Sequence, residues 1–349
     1  MSGVPESPGP QNGPQNGPQN GSENGSASVP GSQVAGLAGG FEGAELANGL
    51  HGAGPAHGPA GVRPVLPSEL AIVGEVAREA LVFDAEDASL IVSRLAAPPE
   101  GREWTALTLP CLDGVVFVSL SATEGVGHVD LLAVRPAARG RGLGRTLLRA
   151  AEEWLRERGV REVRLAGNPP CYAWPGIDVR YTPAVCLAES LGYERHRTAW
   201  NMTADLAPFA PGATQDQEAG RLAAAGVAVR TAAPGERGEV AAFVRRHWND
   251  AWAWEVEQAT GCHYAVRDGE ILGFAAWGAR PGWFGPMGTD EAARGLGVGR
   301  VLLRRCLAEQ AAAGLRTTQI GWVGPVRFYA RAVGARVERV FWLYRRHLD

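Results

Sequence analysis

A glycine turn of the form Arg-x-x-Gly-x-Gly occurs twice in this chain, from Arg139 to Arg145 and from Arg294 to Arg300. Each copy leads into a helical pattern, and the copies lie about one domain length apart. The glycines let the backbone come close to a ligand without a Cβ in the way. The following helix start leaves N–H groups without partners beside the positive end of the helix dipole. Together they form an anion site suited to a pyrophosphate. Two copies point to two sites for nucleotide-tailed molecules, or to one live site and one relic.

The order of elements around the turns repeats as well. Before the first, strands are expected at Trp104–Leu109, Val115–Ala122 and His128–Val134, each rich in Val, Leu and aromatic residues. After it, Leu147, Leu148, Ala151, Trp154 and Leu155 recur at helical spacing. A short strand, a helix and a last strand complete the unit. The same series returns after position 227, where Asp268-Gly269 closes a hairpin. The chain therefore reads as a tandem repeat of whole domains.

Residues 1–60 are rich in Gly, Pro, Asn, Gln and Ser and are expected to be a disordered tail. A first domain is expected over 61–206, an Ala- and Pro-rich linker over 207–226, and a second domain over 227–349.

Charge and composition exclude several classes. The net charge of −3 gives no general nucleic-acid footprint. The chain contains no lysine, which excludes a Walker phosphate loop and Schiff-base chemistry. Its five cysteines are widely spaced, with no metal or redox motif. No metal is expected, no apolar run suits a membrane span, and a cytoplasmic location fits the free thiols best. The expected partner is a small molecule, with neither nucleic acid nor membrane; the oligomeric state is open.

The two turns, with a strand before and a helix after each, resemble the GNAT superfamily of acetyl-CoA-dependent N-acyltransferases. The run from Leu132 to Arg145 is close to that family's consensus. A Rossmann turn would place a third glycine at positions 145 and 300, where this chain has arginine. The resemblance implies an α/β (α+β) fold: two tandem domains, each with a mixed, mostly antiparallel central sheet flanked by helices. It implies acetyl-CoA as acyl donor and direct attack by an amine in a ternary complex. The alternatives are a non-catalytic acetyl-CoA sensor or scaffold and, among enzymes, a mycothiol-synthase-like acetylation.

The resemblance also assigns residues. Acetyl-CoA is expected along Leu132, Ala133 and Val134 and at Arg139, Gly140, Arg141, Gly142, Gly144 and Arg145. The second copy offers Arg294, Gly295, Gly297, Gly299 and Arg300. The oxyanion donor falls on the backbone N–H of Val134 or Thr289. Strand alternation places His128, Asp130, Leu132 and Val134 on one face, and His128 is a candidate base or a solvent-facing histidine. Tyr329 is the candidate acid for the departing thiolate, or a packed core residue. With Tyr329 on its side, the second domain is the favoured catalytic unit. Trp174, Asp178, Arg180 and Tyr181 occupy the expected acceptor loop. There Asp178 and Arg180 either hold substrate charges or brace each other.

Overall fold

The structure is a computed structural model that describes residues 61–210 and 217–349. The expected tail, and residues 211–216 of the expected linker, lie outside the described residues. The first half runs β1 (Arg63–Pro64), α1 (Leu70–Ala80), α2 (Ala88–Leu95), β2 (Trp104–Thr108), β3 (Gly114–Leu120), β4 (Val126–Val134), α3 (Leu143–Arg156), β5 (Glu162–Leu165), β6 (Ile177–Asp178), α4 (Thr182–Ser190) and β7 (Glu194–Asp205). A helix within the expected linker, α5 (Gln217–Ala224), leads to the second half. That half runs β8 (Ala228–Thr231), α6 (Arg237–His247), α7 (Asp250–Glu257), β9 (Gly261–Arg267), β10 (Glu270–Trp277), β11 (Trp283–Thr289), α8 (Val298–Ala312), β12 (Thr317–Ile320), α9 (Val326–Val333) and β13 (Arg336–His347).

The described strands form one sheet, mixed and mostly antiparallel, with helices on both faces. Alternation explains the layers. Val115 and Phe117 face α1 and α2, while Val116 and Val118 face the apolar stripe of α3, Leu147, Leu148, Ala151 and Leu155. The second half repeats this, with α8 and α9 on one face and α6 and α7 on the other.

The halves exchange their last strands. β13 pairs antiparallel with β5, matching Arg345 to Arg164. β7 pairs antiparallel with β12, matching Met202 to Ile320. Between them, β7 and β13 form a long antiparallel ladder. The cores follow the strands: Phe341 and Tyr344 of β13 are buried in first-half clusters, and Met202 and Ala204 of β7 are buried in the second. Each large side chain buried this way contributes about 1.5–3 kcal/mol.

Among the described residues only two neighbouring strand pairs are parallel, β4 with β5 and β11 with β12. Both part after a few residues. The β4 ladder to β5 ends at Val129 opposite Leu165, and the β11 ladder to β12 ends at Phe284 opposite Ile320. Each split opens a cleft in the sheet just ahead of a glycine turn.

Candidate active site

The first turn has the geometry its sequence predicts. Gly140 and Gly142 have φ of +78° and +80°, a conformation that favours glycine. Gly142 caps α3, and Gly144 packs so closely on α4 that an added Cβ would lie 3.1 Å from Leu187. A Cβ on Gly140 or Gly142 would meet nothing within 4 Å, so the turn's outer face is open. Thr146 is the first residue whose N–H finds a helical acceptor, the Gly142 carbonyl at 3.0 Å. The N–H groups of Gly142 to Arg145 have no main-chain acceptor among the described residues. Arg139 braces the turn, donating to the carbonyls of Val134 and Ala80 at 3.1 Å each. Arg141 donates back to Ala137 at 3.2 Å.

A cavity of about 420 Å³ runs inward from this turn. Its walls are β4 from Val129 to Leu132 with Val134, the end of β5, Trp174, Tyr181 and Leu187. Arg135 donates its N–H to Asp113 on the β3 side at 2.9 Å. By alternation the N–H groups of Val134 and Leu132 face the split. Ala133 points the other way, into the core beneath α1.

The expected single face from His128 to Val134 is corrected by a β-bulge. Leu131 pairs with Phe117 but Val129 pairs with Val118, so Asp130 is an extra residue in β4. The bulge reverses the alternation, and His128 and Asp130 leave the face of Leu132 and Val134. His128 is buried, its Nδ1 lies 2.7 Å from the Ala166 carbonyl, and it is not among the residues lining the cavity. Burial pushes its pKa down to about 4.

Asp130 does line the cavity, and it is 6% exposed. Its Oδ2 accepts from Ser119 Oγ at 2.6 Å, and Ser119 Oγ in turn accepts from Asn168 Nδ2 at 2.8 Å. Its Oδ1 is buried with no hydrogen-bond partner. Burial raises the pKa to about 7, opposed by the Ser119 hydrogen bond and by the charge of Arg102. A buried carboxylate with one free oxygen and this pKa is suited to take a proton at neutral pH. The sequence held one signal for it, the single carboxylate of a largely apolar strand.

The expected acceptor loop forms one wall of the cavity. Trp174 is buried there. Asp178 accepts from Arg180 through Nε at 3.0 Å and a terminal nitrogen at 2.8 Å, and from Arg339 Nε at 2.8 Å. Burial pushes the Asp178 carboxyl up, but the two arginines outweigh it and hold its pKa below the ordinary value. Arg339 also grips Asp84 at 2.6 and 3.0 Å, and Tyr181 donates to Asp84 at 2.7 Å. Arg339 belongs to β13, so the exchanged strand of the second half braces the loop that walls the first-half cavity.

The second turn repeats the backbone form, with Gly295 and Gly297 at φ of +82° and +88°. Its surroundings differ. Arg300 donates its N–H to Gly297 at 3.1 Å, and its side chain pairs with Glu218 of α5 at 2.6 Å. Arg294 pairs with Glu291 on the surface. A Cβ on Gly299 would lie 3.1 Å from Thr289 Oγ1, 3.4 Å from Met287 and 3.6 Å from Phe328. The space at the β11–β12 split is about 140 Å³, with Phe284, Met287, Gly321 and Trp322 among its walls. Tyr329 lies in the core against Phe284 and Phe328, and burial alone raises its pKa.

The acetyltransferase (GNAT) family model matches residues 97–173 and 230–335. The chain belongs to this family and is a tandem N-acetyltransferase. Among named relatives, the mycothiol acetyltransferase of Thermomonospora curvata is 31% identical over 263 residues, covering 68% of this chain and 78% of that protein. The mycothiol acetyltransferase of Geodermatophilus obscurus is 29% identical over 285 residues, covering 74% and 84%. Two solved structures share the fold. A tandem GNAT protein from the clavulanic acid biosynthesis pathway has a TM-score of 0.60 at 19% identity, over 82% of this chain and 98% of that one. A GCN5-related N-acetyltransferase from Sphaerobacter thermophilus has a TM-score of 0.59 at 21% identity, over 82% and 95%. Among the described residues no group of side chains could hold a metal ion, and no helix is long and apolar enough to cross a membrane.

Proposed function

We propose that the chain moves the acetyl group of acetyl-CoA to the amine of a small molecule, and that the first half performs the reaction. The observation that carries this reading is the cavity that runs from the open amides of the first turn along β4 as far as Asp130, a buried carboxyl with one unpartnered oxygen. The turn binds the diphosphate, and the pantetheine arm lies in the β4–β5 split. Asp130 takes a proton from the acceptor's ammonium. The neutral amine then attacks the thioester carbonyl, whose developing oxyanion is met by the Val134 N–H, with Leu132 beside it. The C–N bond forms, the C–S bond breaks, and the thiolate leaves to be protonated by solvent. Tyr181 is not its proton source, because its hydroxyl donates to Asp84.

The second half then serves chiefly as scaffold, lending Arg339 and β13 to the first. This reverses the expectation from Tyr329, which is packed among core aromatics. The names of the relatives make the amine precursor of mycothiol the first acceptor to try. The test is free-thiol release across an amine panel with Gly142→Asp and Gly297→Asp. A carboxylate facing the diphosphate at residue 142 is expected to abolish release, and one at residue 297 to leave most of it. The opposite pattern would move the reaction to the second half.

A further inference from the structure

A second set of reactive groups lies in the second half, near the C-terminal end of α8. β8 is the outer strand of the sheet there, and its last residue, Thr231, is exposed and stands opposite His263 of β9. Cross-strand partners share a face of the sheet, and Thr231 Oγ1 lies 3.2 Å from His263 Nδ1. Across the ring, Nε2 lies 3.0 Å from Glu309 Oε2 of α8, with its N–H turned off the ideal line. The same Glu309 oxygen accepts from the Trp277 indole at 2.7 Å. A Cβ on Gly261 would clash with both Glu309 and Trp277, so the glycine leaves room for the carboxylate. Facing an acceptor, Nε2 carries the ring proton; Nδ1 is then free to accept, and the Thr231 hydroxyl donates to it. Burial lowers the His263 pKa against the pull of Glu309, which keeps the imidazole neutral at pH 7. Arg305, one helical turn before Glu309, donates to the Val229 carbonyl at 2.9 Å and sets a positive charge beside β8. Among the described residues no other serine or threonine hydroxyl meets an imidazole.

We infer that Thr231, with His263 as its base and Glu309 as the group that orients the ring, is a nucleophile that takes an acyl group from activated esters. A hydroxyl, a base within hydrogen-bond reach and a carboxylate behind the base are the parts such a step needs. A contact as loose as that between His263 and Glu309 is common in a free protein and tightens as charge develops. The Thr231 proton passes to Nδ1 as Oγ1 attacks the ester carbonyl. A new C–O bond forms, the old one breaks, and the leaving oxygen departs with the proton from Nδ1. The charge of Arg305 favours the oxyanion that develops on the way. The product is an acyl ester on Thr231. Neither glycine turn takes part, so the site stands apart from the proposed amine transfer.

The test is acetylation of the whole chain by p-nitrophenyl acetate, quenched in acid and read by peptide mass. The chain contains no lysine, so side-chain amines do not compete for the reagent. Wild type is expected to carry an acetyl group on Thr231. His263→Gln is expected to slow that reaction about a hundredfold or more. Thr231→Val, of nearly the same shape at an exposed position, is expected to remove the adduct while the thermal midpoint stays. Thr231→Ser keeps the hydroxyl without the hindering methyl and is expected to react faster. Should His263→Gln fail to fold, Glu309→Gln, at a half-exposed position of α8, carries the same test with a loss of about tenfold or more expected. An unmodified Thr231 in wild type, or a rate that neither His263→Gln nor Glu309→Gln lowers, overturns the site.

Discussion

Replacing Asp130 by Asn should make the protein more stable and less active at the same time. In the fold the Asp130 carboxyl has its pKa raised by burial from the ordinary 3.8 to about 7. The folded state therefore binds its proton more tightly than the unfolded chain does. The stability linked to this group is complete below pH 3.8 and is lost as pH rises through about 7. Moving a carboxyl over that interval corresponds to about 4 kcal/mol. Asn carries no charge to desolvate, and its carbonyl oxygen can still accept from Ser119. Urea unfolding at pH 8 should show Asp130→Asn gaining up to about 4 kcal/mol, with the gain gone near pH 4. Thiol release at pH 8 should fall about a hundredfold or more, the usual worth of a positioned base. In wild type the acidic limb of kcat/KM should bend near pH 7. Ser119→Ala removes a hydrogen bond that favours the charged form. It should move that bend upward by about 1–2 pH units, the equivalent of about 1.5–3 kcal/mol. If Asp130→Asn keeps most of its turnover, or Ser119→Ala leaves the bend in place, Asp130 is not the proton acceptor.

Four further outcomes are expected. His128→Gln should retain turnover within about threefold, because the imidazole does not line the cavity; a loss comparable to that of Asp130→Asn would restore His128 as the base. The same histidine, with its pKa lowered to about 4, should cost the fold stability as pH falls from 6.5 to about 4, by about 3 kcal/mol; the acid-side slope of ΔG should flatten in His128→Gln. Arg339→Met leaves Asp84 and Asp178 short of a buried partner and should destabilise by about 3–5 kcal/mol, read by chemical denaturation; a change under 1 kcal/mol would mean that solvent already serves those carboxylates. Tyr329→Phe should change turnover less than about twofold in the thiol assay, and a large drop would put the acid, and the reaction, back in the second half.

The turns, the α3 stripe and the hairpin at Asp268-Gly269 were legible because local rules govern them: glycine at positive φ, a period of 3.6, a tight two-residue turn. The helix α7 was not read. Its start signal is Asn249, whose Oδ1 accepts from the Trp252 N–H at 2.9 Å, set in a tryptophan-rich stretch with little helical periodicity. The bulge at Asp130 was illegible for another reason. Alternation assumes one residue per partner residue, and nothing within β4 alone reveals that β3 skips one. The exchange of β7 and β13 is likewise invisible, since both strands carry a half-buried pattern that fits either sheet. The proposal that the first half reacts rests on the bulge at Asp130, so the sequence pointed to the family more securely than to that assignment.

Strand exchange also governs how the polypeptide can be made. β5 leaves the ribosome early, yet its neighbour in the finished sheet, β13, is synthesised only after β8 to β12. Until β13 emerges, the first sheet has a raw edge, Phe341 is missing from its core, and Asp84 and Asp178 lack Arg339. Such distant pairing slows folding. A ribosome stalled before β13 would hold a first half with its glycine turn intact and the loop beside its cavity unbraced.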